Sequence, residues 1–280
     1  MKKYVNVKIE VFEEYYDLVY AILYELPFSG IEEKYDELIV SFDLNDWNDE
    51  VRHTLKTKLD AYSTGAKIIN EDVITERNWN EEWEKSVDPV ITGENIGITP
   101  EWRKDEIDTP VKIIINPKMS FGTGHHATTR LMCRLMENLV KEGSFWIDAG
   151  TGTGILAILA KKLGAGRVLA FDNNDWSVNN SIENIKSNDM EGKIEIDKFD
   201  IDDEILPESD GIAANLNKNI VIRSLPKFRK SLAGSNGDLV ISGILIYDSD
   251  DIISATEKQE FRLVNSLRED EWIAFHLKAE

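Results

Sequence analysis

The chain opens on an alternating pattern. YVNVKIEV (residues 4–11) places apolar residues at every second position, the period of a half-buried strand. EEYYDLVYAILYEL then shifts to helical spacing, with Leu18, Ile22 and Leu26 on one face. SGIEEKYDELIVSF reads as two strands turning at residues 34–36, NDEVRHTLKTKLDAY as a second helix, and AKIINEDVIT as a closing strand. The order β-α-β-β-α-β predicts a small ferredoxin-like α+β domain over residues 1–75.

The pattern changes at residues 76–89. ERNWNEEWEKSVDP is polar, with Trp79 and Trp83 four apart on one helical face, and predicts a linker helix whose tryptophans dock on a neighbouring domain. VITGENIGITPEW and VKIIIN then lead as strands into a larger domain at 90–280. Within it, apolar runs (FWI, RVLAF, KIEIDKF, SDGIAANL, GDLVISGIL) alternate with helical segments (ILAILAKKL, DWSVNNSIENIKSN, NKNIVIRSLPKFRKSL, DSDDIISATEK). The third of these segments is expected to be helical up to a kink at Pro226. FRLVNSL and EWIAFHL come last, separated only by residues 268–270, too few for a crossover helix, so they are antiparallel neighbours. The fold class expected is α/β: a seven-stranded, mostly parallel sheet ending in an antiparallel hairpin, preceded by the smaller domain.

The densest chemistry lies at residues 144–154, SFWIDAGTGTG. A short apolar strand closes on Asp148, glycines follow at 150, 152 and 154, and a helix begins: the first unit of a nucleotide-binding sheet. The next strand ends in Asp172, where a carboxylate can accept hydrogen bonds from both ribose hydroxyls of an adenosine. From Gly152 the text also fits G-x-G-x-x-A, so a dinucleotide and S-adenosylmethionine (SAM) compete, beside a glycine turn that serves packing alone. Three observations favour SAM. Asp148 at the mouth of the loop would repel a pyrophosphate and favour an ammonium and sulfonium. No Lys or Arg lies between Gly143 and Leu159 to neutralise phosphates. The reversed terminal strand is the methyltransferase pattern rather than the dehydrogenase one.

Composition narrows the partners. A formal charge of −20 argues against nucleic acid, which needs a basic footprint, and suits a basic protein. The first 75 residues share the excess, with sixteen acidic against eight basic side chains. No apolar run reaches a membrane span and no signal-peptide core precedes the first strand, so a cytoplasmic protein without membrane contact is expected. Cys133, the single cysteine, reads as a core residue and excludes a disulfide framework. NPKMSFGTGHHATT (116–129) is a second informative stretch: Gly122 and Gly124 flank Thr123 in a lid over the cofactor, and Thr128 and Thr129 can cap the following helix. Adjacent His125 and His126 lack a third ligand at workable spacing, so no metal is expected.

NWNEEWEKSVDPV, NPKMSFGTGHHATT, DAGTGTGILAILAKKLGAGRV, FDNND, AANLNKN and ISGIL occur in this order across residues 78–246. Together they resemble the PrmA family, enzymes that methylate large-subunit ribosomal protein eleven. The resemblance implies a SAM-dependent protein methyltransferase acting on lysine or N-terminal amino groups, with the first domain gripping the basic ribosomal protein. Carried over by position, it implies cofactor contacts at Thr129, Gly150, Asp172 and Asn215, with Asn215 also the catalytic residue. Departures occur at Ala127, where the family commonly has Pro, at residues 151–154, and after Asn215, where Leu216, Asn217 and Lys218 replace an apolar pair. Asp200, just beyond the third strand of the large sheet, either accepts from an adenine amino group or stays a solvated loop acid. A monomer is expected. A nucleotide-dependent oxidoreductase and a non-catalytic SAM-fold adaptor are the rival readings.

Overall fold

Strand β1 (Lys3–Glu10) buries Val5, Val7 and Ile9 and leaves the intervening side chains half-buried, so its alternation becomes a sheet with one packed face. It pairs antiparallel with β3 (Glu37–Asp43) on one side and β4 (Lys67–Thr75) on the other. β2 (Phe28–Lys34) adds to β3 through a tight turn in which Asp36 takes φ +53°. The sheet order β2-β3-β1-β4, with helices Tyr16–Leu23 and Asp49–Ala61 packed on its apolar face, is the ferredoxin-like arrangement. Asn48 caps the second helix by accepting from the Glu50 and Val51 N–H groups.

The computed structural model describes residues 2–62, 65–75, 87–116, 118, 120–232 and 236–280. Of the linker helix expected over residues 76–89, residues 76–86 lie outside the described residues, and residues 87–89 are not helical. Contacts divide the chain into a unit spanning Met1–Trp79 and another spanning Asn80–Glu280.

The second unit begins with a small sheet of β5 (Val90–Thr92), β6 (Ile96–Thr99) and β7 (Val111–Ile114). Its main sheet has seven strands: β8 (Phe145–Ala149), β9 (Arg167–Asp172), β10 (Glu195–Lys198), β11 (Gly211–Asn215), β12 (Asp238–Leu245), β13 (Phe261–Glu269) and β14 (Trp272–Ala279). Their order is β10-β9-β8-β11-β12-β14-β13, and β14 runs antiparallel to both neighbours. β8 and β11 are adjacent although β9 and β10 intervene in sequence, so the strand order reverses between them. In open α/β sheets that reversal places a crevice at the strands' carboxyl ends.

Helices cover both faces. Ala127–Met136 and Ile155–Lys162 bury Leu131, Met132, Leu156 and Ile158 on one side, whereas Lys218–Ser231 and Ser249–Glu257 bury Val221, Leu225, Phe228 and Ile252 on the other. Helix Lys218–Ser231 continues through Pro226 instead of ending there. Leu225 and Phe228, fully buried on either side of the proline, hold the last turns against the sheet and offset the lost backbone hydrogen bond.

Candidate cofactor site

Between β8 and helix Ile155–Lys162 the chain turns sharply, with φ +73° at Gly150, +55° at Gly152 and +85° at Gly154. Close approach as well as φ demands glycine here. A Cβ on Gly152 would stand 2.4 Å from the Phe121 carbonyl oxygen. The turn's N–H groups are spent inside the protein. Gly150 and Thr151 donate to the Phe171 carbonyl at 3.0 and 2.9 Å, Thr153 to Phe121 at 3.0 Å, and Gly154 to Thr151 at 2.9 Å. Gly152 N–H donates to Asp172 Oδ2 at 3.1 Å. The N–H groups of the turn itself are therefore not free to hold a pyrophosphate.

The turn forms one wall of a cleft of about 270 Å³, lined by Thr129, Gly150, Asp172 and Asn215 together with Asp200. The four cofactor contacts carried over by position and Asp200 therefore line one cleft, Thr129 from the start of helix Ala127–Met136 and the others from the carboxyl ends of β8, β9, β10 and β11. Asp172 also accepts from Asn174 N–H at 3.0 Å, so each carboxylate oxygen holds one internal donor and keeps a lone pair to spare. Asp200 accepts from Asn173 Nδ2 and from the Asp202 N–H, both at 2.9 Å, and the Asp202 bond leads in holding its carboxyl below the usual range. Phe199 stacks on Phe171 with centroids 4.1 Å apart, and both residues line the cleft as an apolar wall.

Asn215 ends β11, and its Nδ2 donates to Thr128 Oγ1 at 3.2 Å. Asn215 Oδ1 and Thr129 Oγ1 are buried without a hydrogen-bond partner, on two residues that line the cleft. Thr128 Oγ1 sits 2.8 Å from His126 Nδ1, which also accepts from the Thr128 N–H. The cap of helix Ala127–Met136 is therefore His126, not Thr128 or Thr129 as the sequence suggests. Burial, and then the charge of Arg130, hold the His126 imidazole below its usual pKa. Its ring lies between Phe121 and Trp272, 5.0 and 4.8 Å away. This chain of contacts was not legible in the sequence, because it joins a loop, a helix start and a strand end.

Asp148 is a correction. It does not stand at the mouth of the loop but is 2% exposed beneath it, where Oδ2 accepts from Thr151 Oγ1 at 2.7 Å and from the Ala157 N–H at 3.0 Å. Burial pushes its carboxyl up to about 7. It is therefore not a carboxylate exposed at the mouth of the loop for a cationic ligand to meet. A basic residue does line the cleft, Arg223, but it is paired with Asp202 at 2.9 Å. Selection rests instead on the donor and acceptor balance. The cleft offers the Asp172 and Asp200 carboxylates as acceptors beside a spent turn, and Asn215, whose Oδ1 is buried and unpartnered, lines it. That suits SAM, whose ammonium, ribose hydroxyls and adenine amino group all donate, and does not suit a pyrophosphate.

A family model described as ribosomal protein L11 methyltransferase (PrmA) matches residues 3–280. The chain belongs to the ribosomal protein L11 methyltransferase family. A ribosomal protein L11 methyltransferase of Chlorobaculum parvum is 35% identical over 277 residues, covering 97% of this chain and 95% of that protein. One of Porphyromonas gingivalis is 32% identical over 268 residues, covering 94% and 90%. A crystal structure of a ribosomal protein L11 methylase from Lactobacillus delbrueckii subsp. bulgaricus superposes with a TM-score of 0.62 at 28% identity, over 69% of this chain and all of that one. Membership in the L11 methyltransferase family accords with the mostly parallel sheet and its reversed β14. Among the described residues no three His, Cys, Asp or Glu side chains are grouped to hold a metal, and no helix is long and apolar enough to cross a membrane.

Proposed function

We propose that this protein transfers methyl groups from SAM to amino groups, lysine side chains or the N-terminus, of ribosomal protein L11. The observation that carries the reading is the glycine turn with all five N–H groups spent, facing a cleft rich in unspent acceptors. The same observation weighs against a nucleotide-dependent oxidoreductase, and family membership along the whole chain weighs against an adaptor.

Bound SAM supplies the methyl group, on a sulfonium. The chain's own residues bind, orient and exclude water. Asp172 would take the ribose hydroxyls, the stacked Phe171 and Phe199 would border the adenine, and Thr129 and the Gly150 backbone would border the methionyl part. Asn215 Oδ1, fixed by Thr128, accepts an N–H of the incoming amine and aims its lone pair. A free lysine has a pKa of about 10.4, so its proton must first leave to water at the mouth of the site. Positioning of this kind supplies up to roughly 7–11 kcal/mol in ideal cases.

The 1–75 domain reads the substrate and carries no chemistry, residues 76–89 connect it, and 90–280 hold the cofactor. The acid excess of the first domain suits a basic ribosomal protein, and the net charge of −20 supports a protein rather than a nucleic-acid substrate. We further propose a monomer working in the cytoplasm, where ribosomal proteins are made. Calorimetric titration tests the cofactor assignment. SAM should bind in the micromolar range and NAD far more weakly; NAD binding tighter than SAM would overturn it.

A further inference from the structure

Helix Asp175–Ser187 and its cap carry asparagine at 180, 184 and 188. A spacing of four stacks them on one face, and all three are buried, at 2%, 0% and 7% exposure. The last two serve the outer edge of β7 and its continuation. Ile114 N–H donates to Asn188 Oδ1 at 3.0 Å, and Asn188 Nδ2 returns a bond to the Ile114 carbonyl at 2.7 Å. One rung on, Asn116 N–H donates to Asn184 Oδ1 at 2.9 Å, while Asn184 Nδ2 ties the glycine turn through the Thr153 carbonyl at 2.9 Å. The Ile115 N–H, between them, faces the other way and donates to Thr99 in β6.

These rungs repeat because two periods match. Four residues of helix rise about 6 Å, and two residues of strand advance about 6.7 Å. The segments run in opposite directions, so 114 meets 188 and 116 meets 184. The next rung would join the Lys118 peptide to Asn180. Yet Asn180 Oδ1 and Nδ2 are both buried and unpartnered. A buried amide with neither group bonded is costly and uncommon. Lys118 is already drawn to the same helix by the ion pair of its ammonium with Glu183. Two residues on, Ser120 Oγ is buried and unpartnered as well, at the start of the loop whose Phe121 and Gly122 carbonyls accept from Thr153 and whose residues border the cleft.

We propose that Asn180 is a positioning residue for the cofactor: in the SAM-bound protein its amide takes the Lys118 peptide as a third rung, seating residues 120–126 over the cleft. Asn180 touches no reacting atom. It acts through the loop, and the inference rests on the reading that the cleft holds SAM.

The test is amide exchange at Lys118 in the full-length protein with and without SAM, alongside SAM affinity and melting temperature, for wild type and Asn180→Leu. In wild type, SAM should slow exchange at Lys118. In Asn180→Leu that protection should vanish and SAM should bind roughly tenfold more weakly, the equivalent of about 1.4 kcal/mol. Without SAM, the melting temperature should hold or rise, because an unsatisfied buried amide has gone. Asn180→Ala serves if the leucine variant does not fold. Unchanged SAM protection or affinity would overturn the proposal. So would a parallel fall of affinity and of cofactor-free stability, the mark of a merely structural asparagine. Failure of wild type to bind SAM would instead overturn the reading of the cleft, and the rung with it.

Discussion

Asn215 and Thr128 are joined across the cleft wall: the Asn215 Nδ2 donates to Thr128 Oγ1 at 3.2 Å, and Thr128 Oγ1 in turn lies 2.8 Å from His126 Nδ1. The Asn215 Nδ2 can only donate, so Thr128 Oγ1 accepts from it whichever way its own hydroxyl hydrogen points. That bond fixes the amide of Asn215, a residue that lines the cleft and whose Oδ1 is buried and unpartnered. Thr128→Val keeps the shape and removes the anchor. Methyl transfer should fall about tenfold, roughly 1.4 kcal/mol of barrier, while Thr128→Ser stays near wild type. Single-turnover rates check this, and a valine variant as fast as wild type would remove Thr128 from the relay.

Asp172 does two things at once. It braces the turn by accepting from Gly152 and presents its remaining lone pairs to the cleft. Asp172→Ala should weaken SAM by about 1.5–3 kcal/mol, the usual loss for hydrogen bonds to a charged acceptor. Calorimetry with the variant decides it; undiminished affinity would place the ribose elsewhere.

Asp148 makes stability fall with rising pH. Its folded carboxyl is pushed up to about 7 by burial, whereas an unfolded aspartate titrates near 3.9. Between those values the folded chain holds a proton that the unfolded chain has lost, so this group's contribution declines from about pH 4 and levels off above 7. His126, held below its usual pKa, contributes in the opposite sense as pH falls below about 6.5. Asp148→Asn keeps an oxygen able to accept from Thr151 and Ala157 and should not show the Asp148 decline. Urea unfolding of both proteins at pH 5 and pH 8 checks the difference. Equal pH dependence would mean that Asp148 is ionised throughout.

Much of this fold was legible because its signals are periodic. The alternation of β1, the glycines at 150, 152 and 154, and the short gap before β14 each correspond to one backbone geometry. What stayed hidden depends on direction. A carboxylate after an apolar strand points into the cleft or beneath the turn according to how the glycines fold, and at Asp148 they fold it under. The helix through Pro226 was hidden for a different reason, since packing of Leu225 and Phe228 outweighs local propensity. Thr129, Gly150, Asp172 and Asn215 could be named from motif position, but the His126–Thr128–Asn215 chain and the asparagine rungs span distant segments and have no local signature.

If the first domain reads the substrate, removing it should separate cofactor binding from substrate capture. A fragment of residues 80–280 should bind SAM like the whole chain yet lose methylation of ribosomal protein L11, because tethering no longer raises the local substrate concentration to roughly millimolar. Raised salt should weaken substrate capture by the full chain in parallel, since exposed charges are screened within about 8 Å at physiological ionic strength. A folded fragment as fast as the whole protein would assign substrate reading to the catalytic unit.

The central claim is tested most directly by mass spectrometry of purified ribosomal protein L11 incubated with this protein and SAM. The account predicts added methyl groups on lysine or N-terminal amino nitrogens, abolished by Asp172→Ala at low SAM and lost when SAM is replaced by NAD. Unmodified L11 after prolonged incubation with a protein that demonstrably binds SAM would contradict it.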